Sequence, residues 1–212
     1  MEVAMRVSAT QIVQFQRMLD GDITEAALIQ ELQAPFSTNK YVEWGWAVES
    51  AVQRASETGD TSPYTWHNAR HEPTIPGSRP TWVVPSEVIA SYIDLDCRPP
   101  MWQTKTERVH KGITVVGVLD GISGYTGYEI KTTSNDDELY ERFRDSWQHR
   151  IYYWLFGIRC MHYFVGVFRW PEGGLPIHRY TTDFVLFPTG DNDKAVMGMV
   201  EIFVDWRKSK GI

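Results

Sequence analysis

The sequence predicts an α/β sandwich: a mixed central β-sheet flanked by helices, with a mostly helical N-terminal region. Three observations predict it. Apolar residues recur at helical spacing through most of residues 8–57. From residue 102 the texture changes to short β-branched runs separated by glycine turns. The order along the chain is then three strands, a long amphipathic helix, further strands and a closing helix. At 212 residues this is one domain, 1–212, large enough to bury a core without disulfides or structural metals. Residues 1–100 form its mostly helical part, 101–190 its sheet and long helix, and 191–212 its last helix.

The elements follow in order. Residues 8–19 read as a helix capped by Ser8, with Ile12, Phe15 and Leu19 on one face. Residues 22–33 read as a second short helix with Asp22 or Thr24 near its start, followed by Pro35. A third helix spans 40–57, its buried stripe made by Trp44, Val48, Ala51 and Ala55, and Gly59-Asp60 ends it. Residues 58–82 are rich in Pro and Gly and read as a loop or inserted segment. A short helix is expected over 85–95. Strands are expected over 102–109 and 113–119, joined near His110-Lys111-Gly112, and over 127–133 after a GISGYTG turn. Residues 136–156 read as one long amphipathic helix with Asn135 as its cap. Strands over 161–169 and 181–187 and a helix over 191–208 complete the chain.

Composition narrows the function. The first residues carry no signal-peptide pattern and no stretch approaches a membrane span, so a cytoplasmic protein is expected, in the host cytoplasm if phage-encoded. Cys97 and Cys160 are far apart and lack metal-ligand spacing, which argues for two reduced thiols. The net charge of −6 weakly opposes nucleic-acid binding. That objection is limited, since a carboxylate-rich site adds negative charge that bound cations offset. Nine Trp and ten Tyr are many for this length; most are expected in the core, with some free to act as platforms for bases.

The segment VVGVLDGISGYTGYEIKTTS carries the chemistry. Asp120 ends an apolar strand, while Glu129 and Lys131 stand two apart on the next and share a face. The short glycine-rich turn between them brings two carboxylates and one ammonium to one edge of the sheet. Carboxylates are natural ligands for Mg²⁺, which acidifies a bound water and neutralises phosphate. A neighbouring Lys can orient or deprotonate that water or stabilise the transition state.

Asp120-x8-Glu129-Ile130-Lys131 resembles the signature of the PD-(D/E)xK nuclease superfamily. Gln148-His149-Arg150-Ile151-Tyr152, on the helix after the Glu129 strand, resembles the Q-x3-Y element of its RecB-like exonuclease branch. Gly45-Trp46-Ala47-Val48-Glu49 resembles that branch's first motif. The resemblance spans about residues 8–168. It implies a restriction-endonuclease-like core and a Mg²⁺- or Mn²⁺-dependent DNA exonuclease of phage or bacterial recombination or repair. Asp120, Glu129, the Ile130 carbonyl and Glu49 would ligate metal, and Lys131 would act on the attacking water. Gln148 and Tyr152 would position Lys131 or contact the DNA strand. Leu119 stands where the family name has proline. The cluster-binding cysteines of some RecB-like members are absent, which excludes the iron–sulfur subgroup. A non-catalytic DNA-binding or assembly module on the same fold, and a structure-specific endonuclease with the same chemistry, are the alternatives. A homo-oligomer or a recombination partner protein is left open.

Other motifs read more plainly. His67 and His71 have metal-ligand spacing but lie in the proline-rich loop, without the following Glu of H-E-x-x-H. Gly121, Gly124 and Gly127 lead into no helix and read as turn glycines. His149 is expected on the helix surface. Arg70, Arg79, Lys105, Arg108, Lys111, Arg142, Arg144 and Arg150 are candidates to line a DNA groove, with Arg144, one turn from Gln148, the first choice for a phosphate contact.

Overall fold

The computed structural model describes residues 5–34, 39–67 and 81–212. Along the chain, β1 (Arg6–Ser8) leads into α1 (Ala9–Leu19), followed by α2 (Glu25–Gln33) and α3 (Lys40–Thr58). A small antiparallel pair, β2 (Tyr64–His67) and β3 (Thr81–Val84), precedes α4 (Ser86–Ile93). Then come β4 (Met101–His110), β5 (Ile113–Ser123), β6 (Thr126–Thr133), α5 (Leu139–Asp145) and α6 (Trp147–Phe156). β7 (Cys160–Arg169), β8 (Ile177–Leu186) and α7 (Asn192–Lys210) finish the fold.

Local chemistry sets several boundaries. Ser8 closes a capping box: its hydroxyl accepts the Gln11 N–H at 3.2 Å, and the Gln11 side chain accepts the Ser8 N–H at 2.9 Å. Thr24 and Asn39 cap α2 and α3 in the same sense, and Gly59, at φ 74°, ends α3 in the left-handed region. Lys111 and Gly112, both at positive φ, make the tight turn between β4 and β5.

Among the described residues the main sheet has six strands, and β5 organises it. β4 runs antiparallel along the whole of one edge of β5. The other edge is therefore shared between β1, parallel at Thr114–Val116, and β6, antiparallel at Gly121–Ser123. β7 lies parallel to β6, and β8 antiparallel to β7. One face of the sheet is covered by α1, α6 and α7, where Phe15, Ile151, Leu155 and Phe203 pack on Val115, Leu119 and Val165. The other is covered by α3 and α4, where Val48, Ala51 and Ile89 pack on Ile130, Phe164 and Phe168. The expected mixed sheet between two helical layers is thus the fold observed.

Several elements differ from the sequence reading. The helix expected over 136–156 is broken at Ser146, whose extended backbone (φ −67°, ψ 142°) ends α5 and whose hydroxyl accepts the Gln148 N–H at 3.3 Å to start α6. Asn135 caps no helix; its side chain accepts the Asp137 N–H in a local turn. β5 does not stop at Asp120 but continues to Ser123. β8 begins at Ile177, and the N-terminal part holds β1 and the β2–β3 pair besides its helices. Among the described residues no helix is long and apolar enough to cross a membrane.

Gly117 sets how closely α6 approaches the sheet. A Cβ there would lie 2.7 Å from Leu155 Cδ2 and 3.1 Å from Tyr152 Cε1. Gly117→Ala is expected to destabilise by about 1–3 kcal/mol through overpacking. Thermal unfolding should show a fall of roughly 2–12 °C, at about 2–4 °C per kcal/mol for a chain of this size; an unchanged midpoint would mean that α6 shifts freely.

Candidate active site

β5 and β6 part at one point. Their ladder pairs Ser123 with Thr126, Ile122 with Gly127 and Gly121 with Tyr128, and there it ends. The next residues are Asp120 and Glu129. The β4 ladder also passes over Asp120: it joins Trp102 to Gly121 and Thr104 to Leu119, while Gln103 between them takes φ 48°. Asp120 thus has no strand partner on either side. Its carboxylate substitutes for one, accepting the Ile130 N–H at 2.8 Å. Further along the same open edge, the Tyr152 hydroxyl donates to the Val118 carbonyl at 2.8 Å.

The split lets side chains from both faces of the sheet meet. Leu119 packs in the α6 layer, so Asp120 faces α3. Ile130 packs in the α3–α4 layer, so Glu129 and Lys131 face α6. Glu129 Oε1 accepts from Lys131 Nζ at 2.8 Å and from Gln148 Nε2 at 2.7 Å. Gln148 Nε2 also donates to the Tyr152 hydroxyl at 3.2 Å. From the opposite face Glu49 of α3 accepts a hydrogen bond from Gln103 and brings its charge to bear on the Asp120 carboxyl. Gly45, one turn earlier on α3, lets the helix lie close to β6; a Cβ there would be 3.3 Å from Thr132 Oγ1. The result is a cleft of about 460 Å³ lined by Tyr41, Trp46, Glu49, Asp120, Glu129 and Lys131, among others.

Its electrostatics favour added positive charge. Burial, then the Glu49 charge, push the Asp120 carboxyl up to about 7, against the pull of Lys131. Burial, then the Asp120 charge, push Glu129 up to about 7 as well. Glu49 is raised by burial and then by Glu129. Burial works to lower the Lys131 pKa, but the Glu129 and Asp120 charges outweigh it and hold it above the ordinary lysine value. In the metal-free chain those charges hold Lys131 as an ammonium that donates to Glu129. Glu129 Oε2 is buried without a hydrogen-bond partner, a costly state for a carboxylate oxygen.

The donor chemistry fits a hard divalent cation: three carboxylates, one with an orphaned oxygen, and a carbonyl. The Ile130 N–H points to the edge that β5 has vacated, and the carbonyl of the same residue lies on that edge, in the cleft wall. Among the described residues, no three or more His, Cys, Asp or Glu side chains already encircle a common point. Lys131 and Gln148 hold Glu129 Oε1 in place instead.

Glu49, Asp120, Glu129, Ile130, Lys131, Gln148 and Tyr152 are thus brought together. Arg144 is not. The break at Ser146 puts it on α5, exposed and paired with Asp145 at 2.9 Å, off the Gln148 face. Arg108 turns under α6 to the Trp154 carbonyl, and Lys111 pairs with Glu201. None of the expected groove-lining cations among the described residues borders the cleft; Arg70 and Arg79, like His71, lie outside those residues. His67 sits in β2, 3.2 Å from Thr81 Oγ1. His149 is buried, not on the surface, because α6 is enclosed on several sides; burial and then Arg150 lower its pKa to about 4. Gln103 and Tyr92, whose hydroxyl donates to the Lys131 carbonyl at 3.1 Å, had no local sequence signal.

The solved structure of SSO0001 shares this fold, with a TM-score of 0.52, 13% identity, and coverage of 95% of this chain and 76% of that one. An alkaline exonuclease (LHK-Exo) from Laribacter hongkongensis aligns at a TM-score of 0.44 and 13% identity, over 97% of this chain and 89% of that one. At such identities a likeness shows the fold alone, and here the first carries it. The shared architecture is a mixed sheet between two helical layers, with β5 and β6, the strands of Asp120 and Glu129, inside the sheet. No protein-family model and no curated protein matches the chain.

Raised carboxyl pKa values make the folded, metal-free chain bind more protons than the unfolded chain between about pH 4 and 7, so stability falls as pH rises through that window. Asp120→Asn keeps an acceptor for the Ile130 N–H and removes one charge. In EDTA at pH 8 this variant is expected to unfold several degrees above wild type, a margin that shrinks by about pH 5. A midpoint at or below wild type at pH 8 would contradict the repulsion.

Proposed function

We propose that this chain is a divalent-metal-dependent deoxyribonuclease that hydrolyses DNA phosphodiester bonds as an exonuclease in phage or bacterial recombination or repair. One observation carries the reading: Glu49, Asp120, Glu129 and Lys131 meet at the split between β5 and β6, braced by Gln148 and Tyr152. Glu49, Asp120, Glu129 and the Ile130 carbonyl would hold Mg²⁺ or Mn²⁺. Bound there, the ion supplies Lewis acidity toward phosphate and a water acidified for attack.

The chain's own groups do the rest. Lys131, anchored by Glu129 and open to the cleft, presents an ammonium that donates to the attacking water or to the phosphate oxygens where charge develops. Gln148 ties down Glu129 Oε1 and leaves Oε2 available. Tyr152 holds Gln148 and the free edge of β5 at once. This geometry supports Gln148 and Tyr152 as positioning residues more than as DNA contacts. The preference for exonuclease over endonuclease comes from the sequence resemblance to the phage-type branch.

Labelled linear and closed circular DNA with Mg²⁺ or Mn²⁺ test the reading. Wild type is expected to degrade the linear form and spare the circle, with Asp120→Ala and Lys131→Ala slowed by on the order of 10²–10³ or more. Gln148→Ala should lower kcat more than it changes KM. Equal degradation by Asp120→Ala sinks the assignment, and cutting of the circle makes the enzyme an endonuclease. Calorimetric titration with Mn²⁺ should give heat with wild type and none with Glu129→Ala; heat retained in that variant would place the ion elsewhere.

A further inference from the structure

Helix α3 does more than deliver Glu49. Tyr41, Gly45, Trp46, Glu49, Ser50 and Gln53 lie along one side of it, and this side borders three adjoining depressions. The central one is the catalytic cleft. Toward the start of α3 it opens onto Thr132, Thr133 and Ser134 of the β6 end and onto Trp170. Toward the middle of α3 it opens past Trp46 onto Trp66 and Gln103. From Tyr41 to Gln53 the helix rises by roughly 18 Å, about five steps of a stacked strand at 3.4 Å each.

Both ends of this path carry rings. Tyr41, 50% exposed, stands edge-on to Trp170 with centroids 4.7 Å apart. Lys40 Nζ sits 5.1 Å from the Tyr41 ring and 5.3 Å from that of Trp170. Arg169 borders the adjoining hollow beside Trp170, as does Arg179, which is paired with Asp136 at 2.7 Å. The platform is fixed from below: Trp170 packs on Trp82 and Trp82 on Trp44, which is buried. At the other end Trp46 and Trp66 face each other at 6.4 Å, inclined by 52°. Rings at both ends, with Lys40 at the first and Lys131 in the cleft between them, suit bases and the phosphates that join them. An apolar peptide would need a continuous greasy wall, whereas this path is lined by Thr132, Thr133, Ser134, Ser50 and Gln53.

We infer that the α3 side is a single-stranded DNA track through the cleft, with one base stacked on Tyr41–Trp170 beside Lys40 and another on Trp46–Trp66. The inference rests on the proposed nuclease reading for its DNA substrate and deepens it. A ring can stack only on a base whose π-face is free, as in a single strand or a frayed end and not inside a duplex. The chain therefore engages unpaired DNA, and a duplex must open at its end to reach Asp120 and Glu129.

Fluorescence polarisation in EDTA tests this without hydrolysis, using a labelled 12-nucleotide single strand and the matching blunt duplex (probe lengths of about this size fall within the usual 4–16-nucleotide footprint). The single strand is expected to bind at least about ten-fold tighter than the duplex, and Tyr41→Ala, Trp170→Ala and Trp46→Ala each to weaken it by roughly ten-fold, the scale of losing one stacked base. Tyr41→Phe and Trp170→Phe should bind as wild type, and Trp170→Leu as poorly as Trp170→Ala, because the ring and not the bulk is needed. Tyr41 is half exposed, so its alanine variant serves where a tryptophan variant fails to fold. Absent single-strand binding, equal affinity for duplex, or folded alanine variants that bind normally overturn the track. Hydrolysis by a chain whose ring variants bind normally removes the track alone; ring-dependent binding without hydrolysis in Mg²⁺ or Mn²⁺ removes the nuclease reading alone.

Discussion

The separation of β6 from β5 at Asp120 is the constraint on which the rest depends. A sheet interior cannot leave backbone groups unmet. Here the Asp120 carboxylate takes the Ile130 N–H, and the Tyr152 hydroxyl meets the Val118 carbonyl. The groups that keep the gap open are therefore the groups that line it. Because the gap passes through the sheet, Asp120 from the α3 face and Glu129 with Lys131 from the α6 face can share one cleft. An intact ladder would have paired Asp120 directly with Glu129 and closed the gap between the strands.

Holding three carboxylates in that gap costs stability, as their raised pKa values show. Lys131 offsets part of the repulsion, and the apolar layers on both faces supply the rest. Two glycines set the geometry: Gly117 admits α6 with Gln148 and Tyr152, and Gly45 admits α3 with Glu49. A strained, charged cleft held by well-packed layers is the usual balance at functional sites.

Much of this was legible in the sequence where the signal is local. The alternation along β5 and β6, their glycine turn, and the caps Ser8 and Thr24 depend on neighbouring residues only, and they placed Asp120, Glu129 and Lys131 correctly on adjacent strands. Glu49 was assigned by its order in the chain, and the packing of α3 brings it in. What was not legible depends on long-range packing. The apolar pattern continues across Ser146 from Phe143 to Trp147 and Ile151, so the helix break was hidden and Arg144 misplaced with it. β1 is a strand because β5 has a vacant edge, and three residues cannot announce that alone. His149 looked exposed because one helix face was counted as solvent, whereas α6 is enclosed. Tyr41 and Trp170 are distant in sequence and become neighbours only when β7 ends beside α3.

The central claim is that this split holds a divalent cation. Anomalous diffraction from crystals soaked in Mn²⁺ tests it most directly. The account predicts a peak in the cleft bounded by Asp120, Glu129 and the Ile130 carbonyl, with Glu49 on its α3 side. Fully occupied Mn²⁺ sites found only elsewhere on the molecule, with Lys131 still alone against Glu129, would contradict it.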